Sequence, residues 1–272
     1  MSDIAVSAVT RSSLLLLQRT ADVRAEASAR LSTGLSVRQP SDAPAAFFDA
    51  QSTRARVRDL LQAKDQIGQA VSSVETAQLG SDAIEELAGQ LKGLALSVQG
   101  ASAEERQIAA EQFDVIRNQI TALANDISFN GVSLIAAAPG SLSVNLDGEG
   151  AGDLTIVGQA SDAASLGIGA ASAYTNFATD NDIQNAVADL NAAIATTRRF
   201  TAGFANDLTV LRAREDFNET LANTLDAGAA RLVDADLNTE AARTLAAQVR
   251  EQLGVEVLRI SNDSQSVLAS LI

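Results

Sequence analysis

From Asn238 to Ile272, apolar residues recur at steps of three and four. Ala246, Val249, Leu253, Val257, Ile260, Ser264, Val267 and Leu271 form one line, the 3.5-residue repeat of a helix laid against a helix. Leu245, Val255, Leu258, Leu268 and Ile272 widen that line beyond what a single partner needs. Asn238 and Glu240 supply a polar start. Residues 3–33 repeat the design. Val6, Val9, Leu16, Val23, Ala27 and Leu31 form a stripe, and Leu14, Leu15 and Leu17 broaden it. Arg11, Arg19, Arg24 and Arg30 fall mostly on the opposite side. An isolated helix of this length is marginal in water, so each end of the chain needs a partner, and the other end is the nearest candidate.

Between these ends the period persists. Gly34 closes the first helix. Pro40, Ser41, Asp42 and Pro44 break the chain and restart it, with Asp42 as a potential N-cap and Pro44 in the first turn. A long helix is expected over about 44–99, on Val57, Leu60, Leu61, Ile67, Val71, Val74, Leu79, Ile84, Leu87, Leu91, Leu94 and Val98. At about 1.5 Å per residue it runs for roughly 80 Å. Gly100-Ala101-Ser102 ends it. An antiparallel helix over 103–128 points Ile108, Phe113, Ile116, Ile120, Leu123 and Ile127 inward. Phe129-Asn130-Gly131 is a turn. Residues 141–146 and 154–158 alternate as strands about a Gly-rich reversal, giving a β-hairpin. The Ala/Gly/Ser-rich run 158–179 reads as loop. A helix over 180–231 follows, through Val187, Leu190, Ile194, Phe200, Phe204, Leu208, Leu211, Phe217, Leu221 and Leu225. Residues 232–238 form a second break before the closing helix. The fold class is mainly α, with a small β-hairpin insert.

Composition narrows the chemistry. Apolar residues make up 46% of the 272, yet aromatics only 3%, which suits closely packed helices rather than a thick core. The net charge of −14 disfavours nucleic acid and anionic membranes as partners. With no Cys and no His, thiolate chemistry, structural zinc, a Ser-His-Asp triad and an HExxH site are excluded. Lys64 and Lys92 are the only lysines, and neither completes an S-x-x-K motif. Acidic pairs such as Glu85/Glu86 and Asp234/Asp236 read as solvated charges, with no aromatic cleft beside them. No enzyme, cofactor or metal is expected. The N-terminus lacks the long apolar core of a secretory signal, and no stretch has the roughly 20 apolar residues of a membrane span. Any export is expected to leave the N-terminus in place.

Three motifs in fixed order carry a family resemblance. RLSTGLSVRQPSDAPAAF (30–47), NDISFNGVSLI (125–135) and the whole of 232–272, with its D-A-D hinge at Asp234 and Asp236, resemble bacterial flagellin, the subunit of the flagellar filament. The closing stretch includes Gln248, Gln252, Gly254, Asn262, Gln265, Val267, Leu268 and Leu271. The similarity covers about residues 1–135 and 180–272.

That resemblance implies an antiparallel coiled coil of the two ends (1–34 and 238–272) as a terminal core domain. It implies hinge segments at 35–47 and 232–237, containing Pro40, Asp42, Pro44, Asp234 and Asp236, and a helical rod over 48–135 and 180–231. The insert 136–179 then stands where larger outer domains occur, and a thin, smooth filament is expected. The assembly interface would comprise Val6, Val9, Leu16, Val23, Leu31, Val249, Leu253, Val257, Ile260, Val267 and Leu271. Residues 1–35 and 236–272 would order only on polymerisation. The implied partners are copies of the chain itself, a secretion chaperone and the flagellar export apparatus, and hook-associated and cap proteins, with a place in the extracellular filament. The alternative is the hook–filament junction protein, which shares these terminal helices. In many flagellins an Arg-rich stretch of the first rod helix is contacted by an innate immune receptor. The matching segment here is QLKGLALSVQ (90–99), where only Lys92 is cationic and Leu94, Ala95 and Leu96 are apolar.

Overall fold

The computed structural model describes residues 8–150 and 152–270, with side chains for 11–150 and 152–264. The described residues form five α-helices: α1 (Ala8–Thr33), α2 (Pro44–Ser97), α3 (Ala103–Asp126), α4 (Asp180–Val233) and α5 (Leu237–Ser270). Between α3 and α4 stand strands β1 (Ser141–Asn145) and β2 (Asp153–Val157) and a 3-10 segment, Ala171–Phe177. Two compact units result. One comprises residues 56–223; the other comprises 1–55 with 224–272.

The core of the 56–223 unit grows from a size alternation along α2. Leu60, Ala63, Ile67, Ala70, Val74, Ala77, Ser81, Ile84, Ala88, Leu91 and Ala95 are all buried, and they succeed one another at three and four residues without a gap. Large and small side chains therefore alternate along one seam, which lets neighbouring helices approach closely. Leu79, which the spacing of large residues alone places in the stripe, lies off this seam and is 71% exposed. Ile108 of α3 and Phe217 of α4 are likewise exposed, because Arg106, Ala109 and Ala110 fill the inward positions of α3 and Asn218 takes the place expected for Phe217. The buried hydroxyls of Ser81 and Thr197 donate to the carbonyls of Ala77 and Ala193 on their own helices, so neither is left without a partner.

Helix ends are set by local chemistry. Ser102 caps α3 in a reciprocal box: its backbone N–H donates to Glu105 Oε2 at 2.9 Å, while the Glu105 N–H donates to the serine oxygen. Thr179 and Asp182 make the same exchange at the start of α4. Phe129 and Val132 trade backbone hydrogen bonds at 2.9 Å each way across Asn130 and Gly131, both left-handed, the signature of a tight reversal.

The hairpin pairs Ser141 with Val157 through Asn145 with Asp153, antiparallel. Val144, Leu146 and Ile156 point into the same core as α2, α3 and α4. The buried Asn218 amide donates to Leu146 O at 2.9 Å, and Arg56 pairs with Glu149 at 2.9 Å. Gly148 has φ +76°, and a Cβ there would stand 2.6 Å from Asp59 O. Only glycine lets the hairpin tip rest on α2.

Residues 158–179 are not a plain loop. Ala163, Leu166, Ile168, Ala171, Tyr174 and Phe177 are buried in the same core. Phe113 meets Tyr174 and Phe177 edge-on, at centroid distances of 6.1 and 5.3 Å. The Tyr174 hydroxyl donates to Asp189 at 2.8 Å and accepts from the Gly169 N–H at 3.0 Å. Burial, with the bond to Asp189, pushes its pKa up to about 12. Thr175, Asn176 and Phe177 all have left-handed φ of 47–62°, which costs on the order of 1 kcal/mol per residue. A low-complexity composition hid this segment because its anchors are few and aromatic.

Arg106 ties the ends of three elements together. It is 8% exposed; its Nε donates to Ala101 O at 3.1 Å and its Nη1 to Phe177 O at 3.0 Å, while Nη2 engages the Asp180 carboxylate. The Gly100 N–H, followed by the guanidinium, holds Asp180 below the usual carboxylate range. Arg106→Ala leaves two carbonyls and a carboxylate without their donor. It is expected to cost about 3 kcal/mol in urea unfolding of the full chain, whereas Glu111→Ala on the exposed face of α3 should change stability by less than about 0.5 kcal/mol.

A candidate assembly surface on the terminal helix pair

Helices α1 and α5 run antiparallel. Arg30 reaches Glu240 at 3.5 Å, Arg24 reaches Glu251 at 2.8 Å, and Leu17 lies over Gly254, where a Cβ would meet it at 2.7 Å. The α5 positions turned inward are Glu240, Thr244, Ala247, Glu251, Gly254, Leu258 and Ser261, an unbroken heptad of mostly small or polar residues. On α1 they are Ser13, Leu17, Thr20, Ala27 and Arg30. Glu240 is 4% exposed and sits between Arg30 and Arg243, the latter at 2.8 Å. Arg24 and Arg30 thus work in the seam, not on the far side expected of them.

The line 246, 249, 253, 257 and 260 has the spacing to pack against the partner helix, but the seam runs one or two positions later, through 247, 251, 254 and 258. The apolar line is left outside: Val249 is 47%, Leu253 62%, Val257 50% and Ile260 58% exposed. On α1, Leu16, Val23 and Leu31 are exposed as well, with Leu14 and Leu15 beside them. Val6 and Leu271 lie outside the described residues, and Val9 and Val267 belong to α1 and α5 but outside the described side chains. Ala27 belongs to the expected α1 stripe and is buried, but sequence reasoning missed Thr20, Glu240, Ala247 and Gly254 as seam residues. The signal was a second heptad, written in small residues beside the greasy one.

Exposed apolar positions on both helices border one groove. Two hollows of ≈290 and ≈230 Å³ share Leu16, Thr20 and Arg250; the first also touches Val23 and Arg243, the second Leu253 and Val257. Exposed apolar surface of this kind marks an interaction site.

The segments after α1 and before α5 bind each other. Ser36 and Val37 donate backbone N–H groups to Val233 O, and Ala235 donates to Gly34 O. Leu35 and Val37 pack on Ala50, Ala229 and Val233. Pro44 begins α2, as expected, and Pro40 is exposed. Asp42 does not cap α2. Its carboxylate turns back and accepts from the N–H groups of Arg38 and Gln39 at 2.9 and 3.2 Å, because the turn at Gln39–Asp42 brings those donors nearer. The cap of α5 is Asp236, which accepts from Asn238 and Thr239, so the helix starts one residue before Asn238. Asp234 bridges to Leu35. In the segment 90–99, Ala95 is fully buried and Leu94 packs on the core, while Lys92 is half-buried and Leu96 is 45% exposed. Among the described residues, no group of His, Cys, Asp and Glu could hold a metal ion, and no helix is long and apolar enough to cross a membrane.

These features define a structural subunit built to associate, with a closed core in one unit and an uncovered apolar surface on the terminal pair of the other. Residues 4–138 match the family model described as the bacterial flagellin N-terminal helical region. Flagellin FljM of Caulobacter vibrioides is 30% identical over 263 residues, 95% of either chain. Flagellin FljO of the same organism is 30% identical over 89% of this chain and 88% of its own. A flagellin of Brucella melitensis is 28% identical over 89% of each. The crystal structure of Bacillus cereus flagellin aligns at TM-score 0.47 and 15% identity, over 56% of this chain and 88% of that one. The chain belongs to the bacterial flagellins and is a structural subunit of the flagellar filament, the fibre of bacterial motility. Nothing found favours the hook–filament junction protein.

The carboxylates of Asp42 and Asp236 are expected to give these two segments a pH dependence. Hydrogen bonds lower the pKa of Asp42, the Arg38 N–H foremost, and that of Asp236, the Thr239 hydroxyl foremost. A lowered carboxylate pKa means that its contribution is complete above the ordinary value and fades as pH falls through the native one. The amide signals of Arg38 and Thr239 should titrate below the ordinary aspartate midpoint of about 3.9 in NMR. They should lose that titration in Asp42→Asn and Asp236→Asn; a midpoint at or above 3.9 would overturn the assignment.

Proposed function

We propose that the chain polymerises by coupled folding and docking of its two ends, and the observation that supports this is the outward apolar line on α5. The seam joining α1 to α5 is built mostly of small, polar and charged side chains, with Leu17 and Leu258 its large apolar members, so it gives limited hydrophobic stabilisation. The other large Leu, Val and Ile side chains wait for neighbours. In this reading, residues 1–35 and 236–272 order fully only when copies of the chain surround them. Val6, Val9, Leu16, Val23, Leu31, Val249, Leu253, Val257, Ile260, Val267 and Leu271 form the interface. Residues 35–47 and 232–237 act as the hinge between a terminal domain and a helical rod, and 136–179 stands in for a larger outer domain. A chaperone covers the C-terminal stripe before passage through the export apparatus. Hook-associated and cap proteins bound the polymer, which lies outside the cell. The role is structural, without catalysis.

Leu253→Asp puts a charge into this interface. Seeded elongation, followed by light scattering and negative-stain microscopy, should fall by at least about tenfold, while circular dichroism of the helical monomer stays unchanged. Amide exchange of dilute monomer should find both ends far less protected than residues 60–95. Wild-type elongation by the variant, or equal protection throughout, would sink this reading.

The segment at Lys92 is proposed to be a poor ligand for the innate immune receptor. Lys92 is its only cation, and Ala95 is buried where a charged contact would be needed. Charge-assisted contacts contribute roughly 1–3 kcal/mol each, so purified monomer should be at least about tenfold less potent than an Arg-rich flagellin in a receptor-reporter assay.

A further inference from the structure

We infer that the groove between α1 and α5 receives the outer face of α1 from a second copy of the chain, with Asp22 of that copy meeting Arg19 and Arg250. This rests on the assembly reading above and specifies which surface enters the groove. Charge bookkeeping on the terminal pair carries it. Arg24 is paired with Glu251, Arg30 with Glu26 and Glu240, Arg243 with Glu240, and Arg259 with Glu256. Arg11 and Asp263 also have partners. Among the described residues of α1 and α5, three charges are left over: Arg19, Arg250 and Asp22.

Their positions are complementary. Arg19 and Arg250 both line the first hollow, beside Leu16 and Val23. Two guanidinium groups at one apolar hollow, neither with a carboxylate, favour an anion carried on an apolar surface. Asp22 neighbours Arg19 on the surface of α1 at a spacing of three but belongs to the next row round the helix, with Leu15, Gln18 and Ala25 at steps of three and four; all four are exposed. That row is a ridge of modest height with one acid near its middle, the shape that fits a groove between two helices. The hollow and the ridge are different surfaces of the same molecule. A contact between them is therefore heterologous, and repeated contacts of this kind need not close into a dimer; they can continue as an open helical polymer.

The test uses full-length protein added to wild-type seeds. An edge variant, Asp22→Arg, and a groove variant, Arg19→Glu with Arg250→Glu, should each elongate at least about tenfold more slowly than wild type. The deficit should shrink at about 1 M sodium chloride, where screening acts over about 3 Å. An equimolar mixture of the two variants should elongate within about threefold of wild type, because each supplies the surface that the other lacks. Circular dichroism of each variant checks that the helices are intact. Wild-type elongation by either variant alone, or a mixture no faster than its components, overturns the proposal while Leu253→Asp still reports on assembly in general. If wild-type protein itself fails to extend seeds, the assembly reading falls and this contact falls with it.

Discussion

The seam between α1 and α5 is too small to satisfy the helices that make it. Thr20, Ala27, Ala247 and Gly254 let the backbones approach, and Arg24–Glu251 and Arg30–Glu240 fix the antiparallel register. Small residues at a contact bury little area, so the pairing aligns the helices more than it stabilises them. The consequence is that Leu16, Val23, Val249, Leu253, Val257 and Ile260 remain facing water. A filament subunit has to be soluble as a monomer and adhesive at the growing end. In the proposed assembly, a weak internal seam beside a strong external stripe meets both demands on the same two helices.

The 56–223 unit follows the opposite rule. Its helices, hairpin and 3-10 segment share one continuous core. Three of its buried polar groups are engaged locally: Arg106 on two carbonyls and a carboxylate, Asn218 on the hairpin, Tyr174 on Asp189, whereas Asp162 Oδ1 and Thr201 Oγ1 are buried without a hydrogen-bond partner among the described residues. The difference between the units lies in where the large side chains point. In one they converge on a common interior, and in the other they diverge from a narrow seam.

Much of this was legible from residue order alone. Helix period, the breaks at Pro40–Pro44 and Asp234–Asp236, the tight turn at Asn130-Gly131 and the hairpin all followed from local chemistry. Register did not. Large apolar residues drew the eye to Leu79, Ile108, Phe217 and the line through Leu253, whereas packing was decided by alanines, glycines and one buried arginine. Hydrophobicity identifies the face a helix could bury; volume determines the face that neighbours reach. The interior of 158–179 was hidden for a related reason, since three aromatic rings and a run of left-handed backbone order a stretch whose composition looks formless.

The alternation along α2 has a consequence for how this chain can drift. At Ala63, Ala70, Ala77, Ala88 and Ala95 another part of the molecule lies close, so size rather than polarity sets the limit. Serine is already accommodated at position 81, with its hydroxyl returned to its own helix. A leucine in any of these alanine slots would be chemically compatible and sterically excluded. Descendants of this sequence are thus free to exchange charge on the outside of the helix, while each step of the inner ladder keeps its width.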